Sequence, residues 1–144
     1  LYFVKVQTER GNLIEKLIRA DKDKAFKREE KKIKSARLSR ILGEDTEITI
    51  RELSGRKIND LSVMAVDKKG NIDQSKLLNV NLMYCVEGIV EPNLKDAALM
   101  EHFGAKTPKD LAEILFDVEA NKIADKIVGL SGITEDAEDE VKNS

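Results

Sequence analysis

The chain has 144 residues, 41% of them apolar and 36% charged, with no tryptophan and a formal net charge of −2. That length suits one domain with a sizeable core, the apolar share excludes a disordered chain, and no apolar run is long enough to span a bilayer. A single cysteine, Cys85, excludes an intramolecular disulfide framework, and with no signal peptide visible an intracellular soluble protein is expected.

Residues 1–12 read as a processing remnant or a disordered N-terminus. Leu13, Ile14, Leu17 and Ile18 then share one helical face, which predicts a short amphipathic helix. Phe26 and Ile33, seven apart, continue through Ala36 and Arg37 toward Ile41 and Leu42, so a second, charged helix is expected to end on Gly43. The link from Ala20 to Lys24 reads equally as loop or as continuous helix. From Thr46 to Leu53, Ile48 and Ile50 alternate with Glu47, Thr49 and Arg51, the clearest strand pattern in the chain. Ser54-Gly55 allows either a hairpin or a helix cap, and the spacing of Ile58, Leu61, Met64 and Ala65 favours the helix. Asp67 to Asn71 reads as a polar turn.

A helix from about Lys76 to Gly88, with Asp73 or Ser75 as cap, is apolar nearly all round and is expected at the centre of a bundle. Two helix starts then share one grammar, Pro92-Asn93-Leu94-Lys95-Asp96 and Thr107-Pro108-Lys109-Asp110, each offering a side-chain acceptor to free amides and an acid near the positive end of the helix dipole. Gly104 closes the first of these helices. In the second, Leu111, Ile114, Leu115 and Val118 form a stripe that Ile123, Ile127 and Leu130 extend, with Asp117 or Asn121 marking a break. The fold class is thus α+β and predominantly α-helical, a small strand element near 46–53 followed by a compact bundle of short helices. One domain is expected over 13–133, and an acidic, disordered tail over 134–144.

The charge is unevenly spread. Residues 15–40 hold eleven Lys or Arg against five acids, and residues 134–144 hold five acids against Lys142. The signs interleave, as in Glu29-Glu30-Lys31-Lys32, which points first to a solvated face. If the stretch is helical, Lys31, Lys32, Lys34, Arg37 and Arg40 form a basic face that nucleic-acid phosphates or an acidic protein could engage. A helix-turn-helix can be drawn from Ile48 to Val66, but base-reading residues do not cluster at the start of its second helix. A nucleic-acid-binding protein using residues 22–40 is therefore the alternative reading.

Little in the chain suggests catalysis. His102 has Ala98 and Leu99 one turn back, neither a donor, so no metal site is expected and His102 is read as exposed or hydrogen-bonded beside Phe103. Cys85 lies among Leu82, Met83, Tyr84 and Val86, where a thiol is buried and inert. No nucleophile elbow, phosphate loop or dinucleotide fingerprint occurs, and paired carboxylates such as Asp136 and Glu138 sit in the tail. No catalytic residue and no cofactor is assigned.

The order of these motifs resembles the XkdN-like tail assembly chaperones of contractile-tailed phages and prophages of Gram-positive bacteria. It runs from the cap with Leu94 and Asp96 through Phe103-Gly104, Thr107-Pro108 and the long amphipathic stretch to Leu130-Ser131-Gly132. Backward it extends, more weakly, through Arg37-Leu38-Ser39-Arg40-Ile41-Leu42-Gly43 and from Ile48 to Gly55, covering about Leu13 to Ile133. The resemblance implies a cytoplasmic, non-catalytic protein that binds the tape-measure protein and tail-tube subunits and then leaves the structure. It also implies two forms, the longer made by a translational frameshift, with this chain corresponding to the shorter. Homo-oligomers are left open. For such a chaperone, one face of the Leu111–Leu130 helices is a candidate client surface, with Leu115, Phe116, Ile123 and Ile127 as its residues, the other reading being ordinary core.

Overall fold

A computed structural model describes the backbone of residues 2–132 and the side chains of residues 11–132. Eight α-helices and a three-stranded sheet occur among them, in the order α1 (Tyr2–Arg19), α2 (Lys22–Phe26), β1 (Glu30–Lys34), α3 (Ala36–Leu42), β2 (Glu47–Arg51), α4 (Gly55–Ser62), α5 (Leu77–Gly88), β3 (Ile89–Glu91), α6 (Ala97–Phe103), α7 (Pro108–Phe116) and α8 (Glu119–Gly129). Short 3₁₀ turns lie at Val63–Ala65 and Gln74–Lys76. The domain is α+β and predominantly helical, as the patterning indicates.

The alternating Ile48 and Ile50 place β2 at the centre of the sheet. It pairs antiparallel with β1, Ile33 opposite Ile48, and antiparallel with β3, Ile50 opposite Ile89. Ile33, Ile48, Ile50 and Ile89 are all buried, so the three strands present one apolar face to the helices while their alternate residues point away. The sheet corrects the charged helix expected to run to Gly43: α2 ends at Phe26, β1 follows, and only α3 reaches the glycine, which takes φ 74° at the helix end. In Lys31-Lys32-Ile33-Lys34 a single apolar residue marks the inner face, too little for strand alternation to show before β2 supplies the partner.

Local capping accounts for most helix starts. Ser54 Oγ accepts from the Lys57 amide at 3.1 Å, which settles the segment after β2 as helix, and Thr107 Oγ1 accepts from the Asp110 amide at 3.1 Å with Pro108 in the first turn. The expected start at Asn93 moves. Asn93 Oδ1 accepts from the Lys95 amide in a tight turn, and Asp96 is the true cap, accepting from Leu99 at 2.9 Å. Leu94 is buried ahead of the helix rather than on its face.

Helix α5 occupies the centre, with Val80, Leu82, Tyr84, Cys85 and Val86 buried against α7, α8, α4 and the sheet. It packs tightly on α8 at Gly88, where a Cβ would stand 2.6 Å from Ile127 Cδ1 and 2.7 Å from Ile127 Cγ2. Replacing Gly88 with Ala gains at most about 1 kcal/mol of helix propensity, whereas overpacking here costs about 1–3 kcal/mol. A net loss of stability is expected. Ile127→Ala removes both clashing atoms, so in thermal melts the double variant should lose less than the two singles summed; strict additivity would show that the contact is not what Gly88 serves.

Asp117, at φ 50° and ψ −128°, separates α7 from α8. That backbone is uncommon for a residue with a Cβ, and it redirects the apolar stripe between the two helices. Helix α1 is longer than the patterning indicates, running from Tyr2 through the boundary expected near residue 13, and its Leu13, Ile14, Leu17 and Ile18 do not join the core. The expected acidic tail lies outside the described residues.

Candidate functional site

The polar chemistry of the domain concentrates where α3, α7 and α8 meet. Ser35, fully buried, caps α3 by accepting from the Leu38 amide at 3.2 Å and donates its hydroxyl to Glu119 Oε1 at 2.5 Å. Glu119 Oε2 accepts from the Ala36 amide at 2.8 Å and the Arg37 amide at 3.1 Å. The first three amides of α3 are thereby satisfied, two of them by a carboxylate more than eighty residues away in sequence, and its charge sits at the positive end of the α3 dipole. Arg37 answers from the other side. Its guanidinium donates to the Ile114 carbonyl at 3.1 Å and the Leu115 carbonyl at 3.4 Å, closing the C-terminal end of α7. This clasp is structural: each of its groups is held by a helix end.

The sequence-derived surfaces are placed differently from expectation. Leu115, Phe116, Ile123 and Ile127 are between 0% and 3% exposed, so all four pack in the core, the second of the two readings of this stripe. The physical reason is the turn at Asp117, which folds α8 back so that the stripes of α7 and α8 both face α5. The basic residues do not share one helical face either. Strand alternation puts Lys32 and Lys34 opposite Ile33 and Lys31 on its side, Lys34 pairs with Asp45 at 3.0 Å on the open surface, Arg37 belongs to the clasp, and Arg40 lies in the last turn of α3. The phosphate-binding helix over 22–40 thus has no counterpart, and the helix-turn-helix drawn from Ile48 has β2 in place of its first helix.

Cys85 is fully buried, with its thiol 3.6 Å from the Ala120 carbonyl; desolvation, and secondarily the Glu119 charge, push it up to about 12. Burial thus favours the protonated thiol, the less nucleophilic form. His102 is exposed and meets the Phe103 ring edge-on at 4.9 Å. No group of three or more His, Cys, Asp or Glu side chains converges as metal ligands would among the described residues, and no helix there is long and apolar enough to cross a membrane.

The open clefts among the described residues include two. One of about 450 Å³ is lined by Gly104, Lys106, Asp110, Glu113, Ile114 and Asp117, the other of about 290 Å³ by Arg28, Arg51, Glu52, Leu53, Ser54, Lys57 and Glu87. Both are shallow and lined mostly by charged residues. Exposed apolar residues include the stripe of α1, and Val63, Met64 and Ile72, which are 51% to 66% exposed around the Val66–Ile72 bridge that follows α4. Sequence reading missed this second patch because Met64 continues the spacing of Ile58 and Leu61, whereas in the fold it lies in the 3₁₀ turn after α4 and is half exposed.

The fold defines a small, predominantly helical α+β domain with a clasp of helix-end hydrogen bonds between α3, α7 and α8 and with several exposed apolar residues. The family model for the phage XkdN-like tail assembly chaperone protein matches residues 14–143, and the chain belongs to that family. Among solved structures, the crystal structure of the protein yqbn is similar, with a TM-score of 0.51 at 15% identity, covering 74% of this chain and 88% of that one. At that identity the likeness bears on the fold. Comparison with curated proteins gave no match.

Proposed function

We propose that this chain is a non-catalytic tail assembly chaperone that binds the tape-measure protein and tail-tube subunits during tail morphogenesis, in the cytoplasm of the bacterial host, and is left out of the mature virion. The observation that carries this reading is the family match over residues 14–143. The fold supports it, since the ionisable groups of the clasp hold helices together and the thiol is sealed. A longer, frameshifted form of the same chain is a further partner under this reading. With Leu115, Phe116, Ile123 and Ile127 buried, client contact falls to apolar residues that face solvent, and Val63, Met64 and Ile72 are suited to take one face of a client helix.

Co-expression tests both levels of the reading. The wild-type chain should co-purify with the tape-measure protein, and Met64→Glu with Ile72→Glu should abolish capture while leaving the circular dichroism spectrum and thermal transition unchanged. Capture by the double variant at the wild-type level would move the client surface elsewhere. Failure of the wild type to capture either tape-measure or tail-tube protein would overturn the function itself.

A further inference from the structure

The sheet ends on an open edge at β1. The Ser35 amide bonds the Thr46 carbonyl and the Glu52 amide bonds the Glu29 carbonyl, which fixes the phase of the antiparallel ladder. Lys31 and Ile33 therefore bond toward β2, and the amides and carbonyls of Glu30, Lys32 and Lys34 point away from it. Among the described residues β2 is the only strand beside β1, and the side chains of Glu30, Lys31, Lys32 and Lys34 are exposed. Lys31 and Lys32 lie opposite Ile50 and Thr49, neither an acid, and the Lys34–Asp45 pair is open to solvent and weak. An antiparallel pairing of β1 with a second β1 about Lys31, Lys32 or Ile33 sets lysine against lysine. The edge thus rejects its own copy and favours an extended acidic segment.

The chain carries such a segment in Glu135-Asp136-Ala137-Glu138-Asp139. With Ala137 opposite Ile33, an acid falls opposite each of Lys31, Lys32 and Lys34 whichever way the segment runs: Glu135, Asp136 and Glu138 in a parallel pairing, Asp139, Glu138 and Asp136 in an antiparallel one. A shift of one residue in either direction sets an acid against Ile33 and Ala137 against a lysine, so the register is specified. Ile127 packed on Gly88 puts the end of α8 next to β3, across β2 from β1. Ile133 and Thr134 alone separate the described chain from Glu135, a reach of about 10 Å, whereas a strand outside β1 lies about 14 Å from β3. That favours a second copy as the donor. We infer that residues 135–139 of one copy add as a further strand to the β1 edge of another, their acids paired with Lys31, Lys32 and Lys34. Each copy carries both halves of the contact, so copies link head to tail.

Sedimentation velocity of the full chain over a concentration series, at low and at high salt, is the test. The wild type should associate reversibly at low salt and come apart as salt rises, because the charge pairs lie on the surface. Lys31→Glu/Lys32→Glu should weaken association by about tenfold or more, with the thermal transition in place because both side chains are exposed. Replacing Glu135, Asp136, Glu138 and Asp139 together by Ala should weaken it as well. Mixing these two variants should restore pairing, since one supplies an intact acidic segment and the other an intact edge. In the wild-type assembly the amides of Lys32 and Lys34 should gain protection from hydrogen exchange, which contact through charge alone would not give. A wild type that stays a single chain at low salt, association untouched by either variant, no recovery on mixing, or unchanged exchange at Lys32 and Lys34 would each overturn the inference.

Discussion

Phe116→Ala is expected to lower unfolding free energy by about 3–5 kcal/mol, the cost of deleting a buried aromatic side chain and leaving its space unfilled. Phe116 heads the fully buried side chains by size and is 0% exposed at the end of α7, where Asp117 turns the chain back into α8. The backbone there is fixed by the turn and by Arg37 on the Ile114 and Leu115 carbonyls, so the cavity has little freedom to collapse. Against a typical domain stability of about 5–15 kcal/mol the loss is a large fraction of the total. Urea unfolding followed by circular dichroism measures it. A cost below about 1.5 kcal/mol, the range of well-tolerated core changes, would mean that the ring does not occupy the core. A charged replacement such as Phe116→Glu is worse still, because an isolated carboxylate in an apolar site is strongly disfavoured. Loss of client binding in that variant would report unfolding rather than a lost surface.

Glu119→Ala is expected to cost about 2–4 kcal/mol, beyond the roughly 1 kcal/mol of an ordinary helix cap. Its carboxylate accepts from the Ser35 hydroxyl and from the Ala36 and Arg37 amides, so truncation strands three donors at once, one of them on a fully buried residue. Glu119→Gln keeps the shape and one acceptor oxygen and should recover part of the loss. Ser35→Ala, which removes one cap and leaves the carboxylate on the two amides, should cost less than Glu119→Ala. Amide hydrogen exchange gives the sharper reading: protection at Ala36 and Arg37 should fall in Glu119→Ala before global stability does. If those amides keep wild-type protection, the carboxylate is not what holds α3 against α8.

The two sites differ in how readable they were. Phe116 sits among stripe residues whose spacing announces an apolar helix face, but spacing states which side is apolar and not what that side meets. The same pattern at Leu13, Ile14, Leu17 and Ile18 ends on the surface, while at Leu115, Ile123 and Ile127 it ends in the core. The difference lies in the turn at Asp117, which brings two stripes onto α5, whereas α1 has no such element to fold it back. Glu119 gave no local signal at all. Ser35 is a recognisable cap, yet the carboxylate that completes it stands more than eighty residues on, and nothing within a turn of either residue points to the other.

What the sequence by itself determined is the short-range grammar: Thr107 and the glycines at 43 and 104 as helix boundaries, Ile48 and Ile50 as the inner face of a strand, α5 as a buried helix, and the order of motifs that places the chain among XkdN-like tail assembly chaperones. These depend on hydrogen bonds and side-chain periodicity within a few residues. Only the tertiary structure decided that Lys31 to Lys34 form an edge strand, that Arg37 caps α7 instead of joining a basic face, and which apolar stripes are core and which are surface. Burial and long-range pairing depend on which distant element arrives to cover a face, and that is a property of the packed chain rather than of any window of it.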